Sequence, residues 1–374
     1  MKHIKIMTIF GTRPEAIKMA PVIQALEKER NIQSIVTVTA QHRSQLDQVL
    51  QAFNITPNYD LNIMKTGQTL VDINTAILTN LTPILQQETP HMVLVHGDAG
   101  TSFAAALCAF YNQTPIGHVE AGLRSGDKYQ PFPEEINRKL ISHMADIHFA
   151  PTEDSRQNLL KENITKNIYV TGNTAIDAIS ITPNYVFQES ILNQLDYTKK
   201  IITLTAHRRE NLGENMHNIC NAVVTLAANN PHIHFVYPVH QNPRVREVVQ
   251  AILGSNPAVT LTEPINITDM HNLVSKSYLV LTDSGGLQEE APHMNVPVIV
   301  LRNVTERPEG LATNVLKLAG TYQQTICDTV QNLLDNPHEH KAMAQGKNPF
   351  GDGKAAGRIV RGIGDYFDSS FGKV

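Results

Sequence analysis

Cysteine is scarce: Cys108, Cys220 and Cys327 are the three in 374 residues. An odd number this far apart makes no disulfide frame, and no pair has zinc-site spacing. Each sits in an apolar, helix-like run ("ALCAFY", "HNICNAV", "QTICDTV"), as core thiols do in a reducing cytoplasm. Nowhere do eighteen apolar residues run uninterrupted, so no transmembrane helix or membrane partner is expected. No long basic run offsets the net charge of −4, which excludes a general binder of nucleic acid or anionic membranes. An anionic ligand would have to be held by local arginines. The start, "MKHIKIMTIFG", is an apolar strand with no cleavage site, which predicts a cytoplasmic protein. G-x-S-x-G and the P-loop are absent, and "GTRPEA" after the first strand is not the G-x-G-x-x-G of nicotinamide binding. Metal ligands are lacking too. His338 and His340 are two apart on a helix and expected to be solvated; His232 and His234 share a strand face without a third ligand nearby.

What is present is a two-domain grammar. A chain of this length exceeds one ordinary core, and 41% hydrophobic with 18% charged residues describes a globular protein. Short β-branched runs ("IKIMTIF", "SIVTVTA", "MVLVHG", "PIGHVE", "IHFAPT", "IYVTG") alternate with amphipathic stretches at 13–30, 43–53, 69–88 and 100–111. Buried strands alternating with helices predict a parallel sheet covered on both faces. After the polar stretch 180–199 the pattern restarts with "KIITLTAH", "IHFVYPVH", "AVTLTE", "YLVLTDSG" and "VPVIVLR". Two doubly wound α/β domains in tandem follow, with a boundary near 172–200. Function belongs in the loops after the strands, because open α/β sheets bind ligands beyond the carboxyl ends of their strands.

Those loops are unusually polar. In "FGTRPEAIKMAPV", Gly11 permits a tight turn, Thr12 and Glu15 have capping-box spacing, and Pro14 fits the first turn. Arg13 stands at the helix N-terminus, where a guanidinium makes a seat for phosphate or carboxylate; Lys18 lies one turn on. "VLVHGDAGT" ends in Asp98, either a helix cap or a functional acid. "HVEAGLRSGDKYQPFPEEINRKL" crowds Glu120, Asp127, Glu134 and Glu135 among Arg124, Lys128, Arg138 and Lys139, which suits a charged solvated loop or a site needing acids beside fixed cations. Glu120 is a poor cap, whereas Glu134 or Glu135 could simply complement a helix dipole.

In the second half, "TAHRREN" places His207, Arg208, Arg209 and Glu210 directly after a strand, an arrangement suited to a diphosphate; "VYPVHQNP" repeats it with His240 and Gln241. "DSGGLQEEAP" leads Asp283 and Ser284 into Gly285 and Gly286, where backbone amides can approach phosphate oxygens. Glu289 or Glu290 could accept from ribose hydroxyls. "RNVTERPEG" adds Arg302 and Arg307.

Together, "FGTRPEAIKMAPV", "TAQHRSQLDQVL", "HVEAGLRSGDKYQPFPEEINR", "TAHRREN", "DSGGLQEEAP", "TERPEG" and a closing "NPFGDGKAAGRI" resemble the non-hydrolysing UDP-N-acetylglucosamine 2-epimerases, nearly end to end. The resemblance implies two Rossmann-like doubly wound domains facing a cleft, glycosyltransferase-B-like. Residues 1–172 would carry the catalytic acids, 173–354 would bind UDP, and a helix at about 355–374 would pack back on the first domain. It implies a homodimer that supplies a surface polysaccharide, capsule or teichoic acid, with UDP-N-acetylglucosamine as substrate and activator. No metal, nicotinamide or other cofactor is implied. By motif, Asp98, Glu120 and Glu134 match the catalytic acids, with His207 beside them. Arg13, Lys18, Ser284, Gly285 and Gly286 match positions around the phosphates and sugar, Glu290 the ribose and Arg307 the pyrophosphate. Gln41, Glu134, Arg208 and His240 match an allosteric pocket.

The chain departs from the family at three places. Ala99-Gly100 replaces threonines after "HGD", loosening the expected turn at Asp98. Gly67 stands where many members carry arginine, and Ser44 replaces a larger polar side chain, which predicts weakened activation. The rival readings are a glycosyltransferase on the same fold, a hydrolysing epimerase releasing UDP and N-acetylmannosamine, and a non-catalytic nucleotide-sugar sensor. The fold cannot separate these; the three acids and the long motifs favour the non-hydrolysing epimerase.

Overall fold

β-Branched and aliphatic runs make the sheets. The computed structural model describes residues 3–41, 43–181, 187–305 and 307–371, with the backbone alone for Arg209 and 369–371. His42 and Glu306 of the quoted motifs, residues 182–186 of the polar stretch and the Arg209 side chain therefore lie outside the described residues. Two compact units form, 1–181 with 350–374, and 182–349.

The first unit holds seven parallel strands: β1 (Ile4–Phe10), β2 (Ile32–Val38), β3 (Tyr59–Asp60), β4 (Met92–His96), β5 (Ile116–Val119), β6 (Ile147–Ala150) and β7 (Ile168–Val170). Their order is β3-β2-β1-β4-β5-β6-β7. β4, β5 and β6 are buried at every residue, as strands covered on both faces must be. One core gathers Met7, Ile9, Val93, Val95 and Ile116 with Ile77, Leu81 and Ala105 from helices Leu70–Glu88 and Gly100–Tyr111.

The second unit has six parallel strands: β8 (Lys200–Thr205), β9 (Ile233–Pro238), β10 (Val259–Thr262), β11 (Leu279–Thr282), β12 (Val298–Val300) and β13 (Leu316–Leu318). Their order, β10-β9-β8-β11-β12-β13, is the doubly wound pattern that reverses direction beside its first strand. In both sheets the reversal lies between the first and fourth strands, so the loops after β1 and β4, and after β8 and β11, share one end.

Helix Thr174–Ile181 lies beyond the expected boundary at 172, yet it packs on helix Arg13–Glu27 of the first unit. The closing helix Ala355–Phe371 packs on both. Asp177 explains its seat: its carboxylate accepts from the amides of Ala355 (3.1 Å) and Ala356 (2.9 Å). An acid on one helix thus satisfies the orphan donors that begin another.

Candidate active site

Helix Arg13–Glu27 starts as its sequence predicts. Thr12 and Glu15 form a capping box, and the buried Glu15 carboxylate accepts from the amides of Gly11 (3.0 Å) and Thr12 (2.8 Å) and from Ser102 Oγ (2.6 Å). Glu15 is therefore structural. Arg13 is the first helical residue and partly exposed, while Lys18 faces the end of β5. There its ammonium donates to Glu120, whose carboxylate also accepts from Asn173 Nδ2 at 3.2 Å. His96, the last residue of β4, brings its Nε2 to 3.8 Å from the same carboxylate.

Glu120 itself has φ of 63°, a left-handed conformation that costs a non-glycine residue on the order of 1 kcal/mol. The strained backbone is compensated by three neighbours converging on the side chain. Burial holds His96 neutral, pushing it down to about 4 against the pull of Glu120.

Asp98 sits one strand over. Ala99 occupies the cap position of helix Gly100–Tyr111, so Asp98 is not that helix's cap. Its carboxylate meets Arg138 Nη2 at 2.6 Å, and its carbonyl accepts from Asn137 Nδ2 at 2.9 Å. Both partners come from helix Glu134–Met144, and these ties hold the turn despite Ala99-Gly100. Burial raises Asp98 to about 6; Arg138 opposes the rise, and Glu120 and Glu134 add to it. Glu120 and Glu134 therefore lie close enough to Asp98 to act on its charge.

The charged stretch 118–140 resolves into two sets. Glu135 is wholly buried and accepts from the amides of Ser125 (3.0 Å) and Gly126 (3.4 Å), with Arg138 Nη1 at 3.5 Å; it shapes the loop. Glu134, beside it, is only partly buried. Arg124 pairs with Glu162 (2.6 Å) and reaches Ser142 Oγ. Gln41 accepts from Thr101 Oγ1 at 3.0 Å, which itself meets Thr39 Oγ1 at 2.9 Å.

In the second unit, Asp283 is the organiser. Its buried Oδ2 accepts from the amides of His207 (2.7 Å) and Arg208 (2.8 Å) and from Asn211 Nδ2 (2.9 Å). His207 Nδ1 lies 3.4 Å from the other oxygen, and the ring stacks on His240 at 5.2 Å. Burial lowers His207 more than Asp283 raises it, and His240 and Arg208 lower it further.

A Cβ at Gly285 would stand 3.4 Å from Arg307 Nη2 and 3.7 Å from Arg208 Nη2. Glycine there leaves main chain open beneath two guanidiniums, the composition of a phosphate seat. Ser284 precedes it, its amide donating to Thr282 Oγ1 at 2.9 Å. The two acids of "QEE" separate cleanly. Glu289 is bound by Arg307 Nε at 2.7 Å, whereas Glu290 lies over Gly286, 3.3 Å from where its Cβ would be, with His271 Nε2 at 3.4 Å. Arg302 pairs with Glu210 at 2.5 Å and belongs to the scaffold.

The structure thus brings Lys18, Asp98, Glu120 and Glu134 together in the first unit. In the second it gathers His207, Arg208, His240, Gly285 and Arg307. Sequence reasoning missed His96, His118, Asn173, the pairing of Arg138 with Asp98 and the organising role of Asp283. A histidine inside each of two otherwise apolar strands, His96 ending β4 and His118 within β5, was the available signal. The expectation of a solvated His340 is corrected: its Nε2 lies 2.7 Å from the Tyr278 carbonyl and its ring stacks on Tyr278 at 3.8 Å. A helix face turned to the sheet explains the difference. Among the described residues no group of three or more His, Cys, Asp or Glu could hold a metal ion, and no helix is long and apolar enough to cross a membrane.

Comparison with known proteins completes the picture. The family model for UDP-N-acetylglucosamine 2-epimerase matches residues 24–364. The UDP-N-acetylglucosamine 2-epimerase of Bacillus subtilis is 53% identical, covering 96% of this chain and 95% of that one. The crystal structure of the Neisseria meningitidis UDP-GlcNAc 2-epimerase bound to UDP-GlcNAc superposes with a TM-score of 0.90 at 47% identity, covering 97% of this chain and 100% of that one. A sucrose-phosphate synthase from Thermosynechococcus elongatus, 10% identical, shares the fold alone at a TM-score of 0.63, covering 99% and 100%; the architecture is glycosyltransferase-B-like.

Proposed function

The chain belongs to the UDP-N-acetylglucosamine 2-epimerase family, and we propose that it interconverts UDP-N-acetylglucosamine and UDP-N-acetylmannosamine without net hydrolysis. The C2 hydrogen of the sugar is not beside a carbonyl, so an enolate is not available. Elimination is the chemical alternative. A carboxylate takes the C2 proton, the C2–H electron pair becomes the C1=C2 bond of 2-acetamidoglucal, and UDP leaves with the C1–O pair. Re-addition of UDP with protonation from the opposite face gives the epimer. Acids near C2 and cations on the departing diphosphate are what this needs.

The observation that carries the reading is the cluster of Asp98, Glu120 and Glu134 at neighbouring strand and helix ends, where Asp98 is raised to about 6. A carboxyl in that range is a better base than one near ~4. Asp98, Glu120 and Glu134 then exchange protons with C2, and Lys18 and Arg13 stand by the sugar and phosphates. His207, Ser284, Gly285, Gly286 and Arg307 hold the diphosphate, and Glu290 receives the ribose hydroxyls. Glu289, already bound to Arg307, is the less suitable of the two acids. No cofactor takes part in this scheme. We extend the reading to a cytoplasmic homodimer that supplies capsule or teichoic-acid synthesis, with Gln41, Arg208 and His240 meeting an activating UDP-N-acetylglucosamine.

Proton NMR of UDP-N-acetylglucosamine with the protein in deuterium oxide tests this. Deuterium at C2 with UDP-N-acetylmannosamine growing in is the expected result. Free N-acetylmannosamine would point instead to the hydrolysing branch, and intact nucleotide sugar without C2 exchange to a transferase or a sensor.

A further inference from the structure

We infer, resting on the proposed role of Asp98, that His118 is a positioning residue that fixes the turn carrying Asp98 by holding the Gly97 carbonyl. His118 lies in β5, wholly buried, with its Nε2 2.8 Å from Gly97 O. A carbonyl can only accept, so Nε2 carries the hydrogen and Nδ1 is bare. Gly97 has φ of 61°, and its own amide donates to the Val119 carbonyl at 2.8 Å. Both polar groups of Gly97 are therefore tied to β5, the strand that leads to Glu120. Through one glycine, the position of Asp98 is referred to the strand that presents the second acid.

The choice of histidine is not explained by stability. Nδ1 of His118 is buried and has no hydrogen-bond partner, and the same holds for Nδ1 of His148, which pairs directly with His118 across β5 and β6. An aliphatic side chain would fill the space without stranding a nitrogen. The ring is neutral: burial lowers it to about 3, and His148, Arg124 and His96 around it oppose a charge. A neutral ring with a fixed tautomer is a permanent donor, which is what a carbonyl clamp requires.

Three full-length variants test the assignment: His118→Leu, His118→Asn and His118→Gln. Misplacement by about an ångström costs on the order of 10²-fold in rate. Leucine and asparagine should therefore lower kcat for C2 exchange by roughly that factor with little change in KM. Glutamine should restore most of the rate, because its amide nitrogen reaches the place of Nε2, whereas that of asparagine falls short. His118→Leu should unfold at or above the wild-type temperature. A leucine variant that turns over at the wild-type rate would overturn the assignment. So would parallel losses of rate and thermal stability in all three variants. Absence of C2 exchange in the wild type would remove the role of Asp98 and this inference with it, an outcome distinct from the other two.

Discussion

At the scale of a residue, the role proposed for Asp98 and its effect on stability stand in opposition. The unfolded chain releases this proton near the ordinary carboxyl range, and the folded chain keeps it until about pH 6 because burial disfavours the charge. A raised acid contributes stability that is full below about pH 4 and is lost as pH rises through about 6. Asparagine at 98 carries no charge to bury and can still meet Arg138. Asp98→Asn should therefore be more stable than wild type at pH 8, by up to about 3 kcal/mol, with the gap closing towards pH 4. Urea denaturation at both pH values measures it. A variant that is less stable at pH 8 would mean that the Arg138 ion pair outweighs the cost of burial. The same substitution should abolish C2 exchange. Asp98 was legible in the sequence because it follows an apolar strand and a glycine. Arg138 was visible only as one cation among four, since nothing in the spacing says which of them turns back to β4.

At the scale of elements, the sheets were legible because parallel strands buried on both faces must be continuously apolar. The two short edge strands, Tyr59–Asp60 and Leu316–Leu318, were missed. Each pairs on one side only and is too short to show a period. The closing helix was expected, but the acid that seats it was not, because Asp177 acts across 178 residues of sequence on the Ala355 amide. Asp177 is 5% exposed and Ala355 1%, so water cannot replace the lost acceptor. Asp177→Ala should cost about 1–3 kcal/mol, the range for a helix cap whose donors remain buried. Amide exchange across 355–368 should quicken more than exchange in β4 or β5. Unchanged protection of that helix would show that packing alone holds it.

At the scale of the whole molecule, both units use one wiring; Arg13, Asp98, His207 and Ser284 of the proposed site follow the strands that flank each reversal of strand order, and Glu120 follows the next strand, β5. That placement was readable in the strand pattern; the choice within Glu134 and Glu135, or Glu289 and Glu290, rested on the family resemblance alone, because spacing does not tell which way either of two adjacent acids faces. The proposed activation by UDP-N-acetylglucosamine is expected to be weak. Gly67 has φ of 74° with open space where a Cβ would be, and Ser44 is exposed in the first turn of helix Arg43–Ala52. Neither position presents a long cation or amide to an anionic nucleotide sugar. Gln41 has its oxygen engaged by Thr101, so its NH₂ is what it offers an incoming acceptor. One amide in place of a guanidinium is a weaker hold on phosphate, since a charge-assisted bond is about twice as strong as a neutral one. Initial rates from UDP-N-acetylmannosamine, with and without added UDP-N-acetylglucosamine, should therefore show shallow activation. A steep rise would place the effector's phosphates on other cations and leave Gly67 without regulatory consequence.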